Sequence, residues 1–278
     1  MPEIEPMDQS LKTLTGLHLW HAPMSSCSQR VRIVMAEVGK TFESHLVDLE
    51  RGEHATEAYQ AIHPKGVVPA LVDDGHLIIE SIDIIQHVSG DGILMRGVSP
   101  EILAKADAAQ LDLKLLTFEF LFRGAPTKSD DVAQAFQRNH KNVWLTQFYR
   151  DFAIGFDRDR IEQAVARTRD YFDHLDARLN DGRVFLAGDA MTLEDVAWLP
   201  NAHRFNLMGW PFACTPHLAA WFARMQSRDS YRTALMDWEN PSAIDMFKTY
   251  SAKRCKEGTD IRTFAGLNNE RRNGSNSP

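Results

Sequence analysis

Between Leu17 and Gly90 the chain changes its hydrophobic period repeatedly, and after Pro100 it stops doing so. Leu17-His-Leu-Trp20 reads as a short strand, followed by a polar loop from His21 to Ser26. Val31, Val34, Met35 and Val38 then recur at helical spacing, with Arg30, Arg32 and Glu37 between them and Gly39 where a helix stop belongs. Phe42 to Val47 alternates like a half-buried strand, and Glu53 to Ile62 is a short, weak helix ended by Pro64 and Gly66. Pro69-Ala-Leu-Val-Asp and His76-Leu-Ile-Ile flank Asp73-Asp74-Gly75, a tight hairpin signal. Ser81 is placed to cap one more helix, which carries Ile82, Ile84, Ile85 and Val88 and ends before Gly90. An order of β-α-β-α-β-β-α predicts a mixed sheet flanked by helices.

From Glu101 to about Trp238 the periodicity is helical, so the composition shift at residues 91–100 marks a domain boundary. The expected organisation is an α/β domain over 12–92 and an all-helical domain over 98–242, with a C-terminal tail over 243–278. Residues 124–160 are polar, irregular and studded with aromatics, which predicts an ordered insertion between two helices. From Lys253 onward the tail is rich in Lys, Arg, Gly, Asn and Ser and is expected to be frayed or draped over the surface. Thirty-one basic residues against 38 acidic ones leave a net charge of −7, which argues against broad attraction to nucleic acid or anionic lipid. The greasiest stretch, LIIESIDIIQHV, is broken by Glu80, Ser81 and Asp83, well short of the roughly 18 apolar residues of a membrane span. Cys27, Cys214 and Cys255 cannot all pair within one chain, and the MPEIEPMDQS start is no secretory signal, so a cytoplasmic location is the expectation.

The segment Met24-Ser25-Ser26-Cys27-Ser28-Gln29-Arg30-Val31-Arg32 lies where the first strand gives way to the first helix. A helix N-terminus offers unpaired N–H groups and partial positive charge, and a hydroxyl there is able to donate to a thiolate. The same residues also read as an ordinary Ser cap beside a small buried Cys, and the segment alone leaves both readings open. Two later features add weight to the first. Val67-Val68-Pro69 puts a proline at the first residue of a strand, where a cis peptide would turn the Val68 N–H and C=O outward toward a peptide-like ligand. Glu80-Ser81 begins a helix, a setting that suits a carboxylate. Elsewhere, Thr192 and Asp195 form a variant capping box, with Met191 and Val196 placed as a hydrophobic staple, so Asp195 is read as structural. No Cys-x-x-Cys or phosphate-binding glycine loop is present, and the His/Cys/Asp spacing fits no zinc site.

The stretches SSCSQRVRIVMAEVGK, HPKGVVPALVDDG and IIESIDII together resemble the glutathione transferase superfamily. The resemblance continues through RDYFDHLDARLNDGRVFLAGDAMTLEDVAW and, more weakly, PHLAAWFARMQSRDSYR. The Ser-Ser-Cys-Ser-x-Arg-Val-Arg start looks like the zeta class and is similar to bacterial tetrachlorohydroquinone reductive dehalogenases. This likeness implies an N-terminal thioredoxin-like domain that binds glutathione and a C-terminal helical bundle that shapes the pocket for a small hydrophobic electrophile. It implies a homodimer as well. It also implies that Ser25 activates the glutathione thiol, with Ser26 in support and Cys27 at the position used for chemistry in zeta-like isomerases and dehalogenases. Val68 before a cis-Pro69 would pair with the cysteinyl backbone, Glu80 and Ser81 would hold the γ-glutamyl end, and His54 falls near the glycyl carboxylate. Conjugation, isomerisation and reductive dehalogenation all fit this picture; glutathione-dependent aromatic ether cleavage and a non-catalytic binding module are the rival readings.

Overall fold

The computed structural model describes residues 3–125 and 129–264. These fall into two compact units. The first comprises the N-terminal part to Val98 together with 126–153 and 228–239, and the second comprises 99–125, 154–227 and the chain from Asn240.

The first unit is built on a five-stranded mixed sheet: β1 (Glu3–Ile4), β2 (Leu17–His21), β3 (Glu43–Leu46), β4 (Ala70–Asp73) and β5 (His76–Ile79), in the order β1-β5-β4-β2-β3. Strands β2 and β3 are parallel, and the other pairs are antiparallel. The expected order of elements is present, with the two-residue β1 added at one edge. Register explains the core. Leu19, Leu71 and Ile78 lie opposite one another across β2, β4 and β5, and all three are buried. The alternate residues Ala70, Val72, Leu77 and Ile79 turn to the other face and join Leu11 there, which is the period-2 pattern of a sheet covered on both sides. The hairpin between β4 and β5 turns on Asp74 and Gly75, both at positive φ (46° and 84°), a conformation that Gly adopts without a steric cost.

Helix α1 (Ser26–Val38) packs against α3 (Ser81–Ser89), and Gly39 ends α1 in the left-handed region as its position predicts. The segment expected to form one weak helix is divided. A single 3₁₀ turn at 53–55 gives way at Thr56, whose Oγ1 accepts from Tyr59 N at 3.2 Å and caps α2 (Glu57–Ile62). At α3 the cap is Glu80, held at φ 68°, and not Ser81, which is the first helical residue; Ser81 Oγ instead accepts from Arg30 Nη1 at 3.1 Å.

The region expected to be an irregular insertion forms two helices, α5 (Asp130–Asn139) and α6 (Val143–Ile154), which follow α4 (Pro100–Phe120). The second unit packs α4 against α7 (Arg158–Leu179) and α8 (Leu193–Leu207), with α9 (Pro216–Gln226) against α7. Its centre holds Trp198, Trp221, Phe172 and Phe205, all nearly inaccessible. Helix α10 (Asp229–Ala234) belongs to the first unit, where it packs on α1. The expected tail also differs: Pro241–Lys256 is a regular helix, α11, and the chain stays packed to Phe264 through buried Arg254, Ile261 and Phe264. Arg254 Nη1 donates to Glu119 Oε1 at 2.9 Å, a charge pair that fixes this helix on its own unit. The rest of the predicted tail, 265–278, lies outside the described residues. Among the described residues no helix is long and apolar enough to cross a membrane.

Candidate active site

Sheet register gathers the candidate residues at one end of the first unit. Strand β2 runs out at His21, and Trp20 pairs with Ala70, which pairs with Ile79. The loop that leads into α1, the entry to β4 at Pro69 and the exit from β5 at Glu80 therefore share one edge. Ser25 sits in that loop as the N-cap of α1, in extended geometry (φ −74°, ψ 120°), and its Oγ accepts from Ser28 N at 3.2 Å. A hydroxyl that accepts from the helix still carries its own proton to donate. Ser25, Ser26 and Cys27 are each half-buried. The Val68–Pro69 peptide is cis, and Val68, half-buried, lies outside the paired residues of both neighbouring ladders. Lys65 forms an ion pair with Glu80 at the same edge.

The loop before α1 is braced from beneath. Arg32 is 2% exposed, and among the described residues no carboxylate pairs with it. Its guanidinium donates to Pro23 O and Ala234 O, both at 2.8 Å, to Ala22 O at 3.3 Å, and to His21 Nδ1 at 3.1 Å. The ring of Trp238 stacks on it, 4.9 Å from the guanidinium carbon. Burial pulls the Arg32 pKa down to about 9, so it stays cationic at neutral pH. His21 is fully buried, and desolvation, aided by Arg32 and His45, pushes its pKa down to about 3. Because Nδ1 accepts from Arg32, the ring proton is on Nε2, which donates to Ser44 Oγ at 2.7 Å. A neutral imidazole thus holds a buried cation in place beneath the Ser25 loop.

The insertion holds the second wall. Gln60 Nε2 donates to Asn139 O and Lys141 N donates to Gln60 Oε1, both at 3.0 Å, so α2 clasps the α5–α6 turn. His140 accepts from Asn142 N at Nδ1 and donates through Nε2 to Gly66 O at 2.9 Å. Tyr59 OH donates to Val67 O at 2.7 Å. Two successive carbonyls just ahead of Val68 are therefore held by side chains, one from α2 and one from the insertion. Gly66 is required twice over: its φ is +59°, and a Cβ there would stand 2.7 Å from His140 Nε2. His54, expected at a glycyl carboxylate, is 3% exposed, its ring 5.2 Å from Phe136 and 5.5 Å from His140. Its ring is built into the junction with the insertion.

Arg32, His140, Tyr59 and Trp238 were not foreseen as parts of this edge. Arg32 lies between the apolar positions of α1, so its spacing gave no sign of buried acceptors, and the other three carried no signal either, because their partners are remote in sequence.

Known proteins agree with this architecture. A family model described as "Glutathione S-transferase, N-terminal domain" matches residues 24–89, and one described as "Glutathione S-transferase, C-terminal domain" matches 158–224. Glutathione S-transferase F6 of Arabidopsis thaliana is 28% identical over 80% of this chain and all of its own. The tetrachloro-p-hydroquinone reductive dehalogenase of Sphingobium chlorophenolicum is 26% identical over 78% of this chain and 94% of its own. The beta-etherase LigF from a Sphingobium strain shares the fold, with a TM-score of 0.67 and 19% identity across 79% of this chain and 98% of that one. With a thioredoxin-like unit, a helical unit and matches to both family domains, the chain carries the two-domain pattern of glutathione S-transferases.

Proposed function

We propose that this protein is a glutathione transferase in which Ser25 holds the glutathione sulfur as a thiolate for attack on a small hydrophobic electrophile. The observation that carries the reading is the shared edge: a hydroxyl N-cap at α1, a cis-Pro strand entry and the Glu80 helix start, aligned by register. Curated relatives named as glutathione S-transferases and a reductive dehalogenase, matched over most of the chain, support the same chemistry.

The steps follow from the residues. The Val68 N–H and C=O pair with the cysteinyl unit as a short added strand, and Glu80 with Ser81 takes the γ-glutamyl end. His54 acts on the glycyl end as a positioning residue, through the loop it supports. Ser25 Oγ–H donates to the sulfur, and the α1 N–H groups add partial positive charge. Lowering the thiol pKa by two units corresponds to about 2.7 kcal/mol, within reach of a charged hydrogen bond plus a helix terminus. The thiolate then forms a C–S bond and the leaving group departs with its electron pair. Ser26 supports the Ser25 loop, and Cys27 is the residue to resolve a glutathionyl adduct where the product requires it. The reading extends to a cytoplasmic homodimer acting on aromatic compounds.

Ultraviolet titration of the bound thiol tests this directly. The wild type is expected to show thiolate well below the pH at which free glutathione ionises, and Ser25→Ala to shift that transition back toward the free value. An unshifted transition in the wild type overturns the reading, and sedimentation analysis separately checks the dimer.

A further inference from the structure

At the far end of β2 from Ser25, three side chains meet on one face of the sheet. β2 and β3 are parallel with His18 opposite Glu43 and Trp20 opposite His45, so period-2 alternation puts all four on the same side. His18 Nδ1 and His45 Nε2 are 3.0 Å apart. His18 Nε2 lies 3.1 Å from the Thr15 carbonyl, which accepts its proton and leaves the Nδ1 lone pair to accept from His45 Nε2–H. One carboxylate oxygen of Glu43 completes a set whose ligand atoms all lie within 4.8 Å of one another.

We propose that His18, Glu43 and His45 form a binding site for a divalent transition cation, Zn²⁺ in type, that ties edge strand β3 to β2. Two imidazoles and one carboxylate are a borderline donor set, suited to Zn²⁺, Ni²⁺ or Cu²⁺ and poorly matched to Mg²⁺ or Ca²⁺. Metal–nitrogen bonds of about 2.0–2.1 Å at a tetrahedral centre set the two nitrogens about 3.3 Å apart, a few tenths of an ångström from the spacing present. The metal replaces the single proton now shared between the rings, and His45 carries its own on Nδ1 instead, so both ligands stay neutral.

The surroundings already orient the ligands. The Thr15 carbonyl fixes the His18 tautomer, in the way that outer hydrogen bonds set metal-bound histidines. Trp20 stacks on His45 with ring centroids 4.3 Å apart and planes 12° from parallel. His18 is 8% exposed whereas Glu43 is open to solvent, which gives the ion a way in from the edge. Water would occupy the fourth position. The sequence conceals the set, because His18 and the Glu43/His45 pair lie on strands separated by a whole helix.

Calorimetric titration of chelator-treated full-length protein with Zn²⁺ tests the site, with Ni²⁺ or Cu²⁺ quenching of Trp20 fluorescence as a second readout. One ion per chain is expected. His45→Ala and His18→Ala should each weaken it tenfold or more, and the exposed Glu43→Gln by less. Trp20→Phe should keep calorimetric binding and lose most of the quenching. Zn²⁺ should raise the melting temperature of the wild type and not that of His45→Ala. Equal affinity in wild type and His45→Ala, or no binding in the wild type at millimolar Zn²⁺, would overturn the proposal. Both outcomes are independent of thiol activation at Ser25.

Discussion

Helices α1 and α8 both begin on a hydroxyl cap, Ser25 in one and Thr192 in the other, yet the two starts are built for different ends. At α8 the start is closed. Thr192 Oγ1 accepts from Glu194 N at 3.3 Å, and the wholly buried Asp195 carboxylate accepts from Thr192 N at 2.8 Å, Leu186 N at 2.9 Å and Trp221 Nε1 at 2.7 Å. Burial pushes the Asp195 pKa up and these donors pull it back. At α1 the cap is half-buried, its loop is braced by a cation, and the His21 ring that holds this cation is neutral. One start closes its polar groups on one another; at the other, the Ser25 hydroxyl accepts from Ser28 N and keeps its own proton to donate.

Acid separates the two most strongly. His21 beneath the α1 start, and His63, buried at the C-terminal end of α2 in the same unit, have folded pKa values depressed to about 3 and about 4, mainly by burial, while the unfolded rings titrate near 6.5. The unfolded chain binds more protons between these limits, so this stability is complete above about pH 6.5 and is lost as pH falls toward 4 and then 3. Urea unfolding of the wild type across that range should show a steep loss that His21→Asn makes shallower; matching slopes would break the comparison at its α1 side.

Next in size, Asp195→Ala should cost about 3–4 kcal/mol of stability by leaving three buried N–H donors unmet, with turnover per folded molecule unchanged. Denaturant midpoints read alongside kcat decide it. Ser25→Ala should show the opposite split. Its kcat/KM for conjugation is expected to fall about a hundredfold, roughly 2.7 kcal/mol, for a stability loss of about 1 kcal/mol. His140→Ala removes the donor to Gly66 O and should raise the KM for glutathione about tenfold with kcat nearly constant, since it positions the Val68 loop without touching the sulfur. The smallest effect belongs to Cys27→Ala, expected within about twofold for conjugation but lost where a glutathionyl adduct must be cleared by thiolysis, as product analysis would show.

The readable features were local ones. Gly39 as a helix stop, the Asp74-Gly75 turn, Pro69 at a strand entry and the Thr192–Asp195 box each depend on neighbours within a few residues. Where the reading departed from the structure, a distant partner decided the outcome. Glu80 replaces Ser81 as cap because Arg30 takes the Ser81 hydroxyl, and the insertion folds as two helices whose Phe136 and Leu145 bury against Ala55. Helix α11 is held by a buried ion pair between Arg254 and Glu119, which a Lys/Arg-rich composition conceals.

Taken alone, the sequence determined the strand and helix order, a serine cap within residues 25–28 and the proline that opens β4, because hydrophobic period, capping chemistry and the X-Pro bond act over a handful of residues. Only the tertiary structure decided that three loops share one sheet edge, that Arg32 and His140 brace it, and that His18 meets His45 across a parallel pair. Such encounters depend on register and burial, and those are properties of the packed chain: each residue's partner is chosen by where the whole sheet places it.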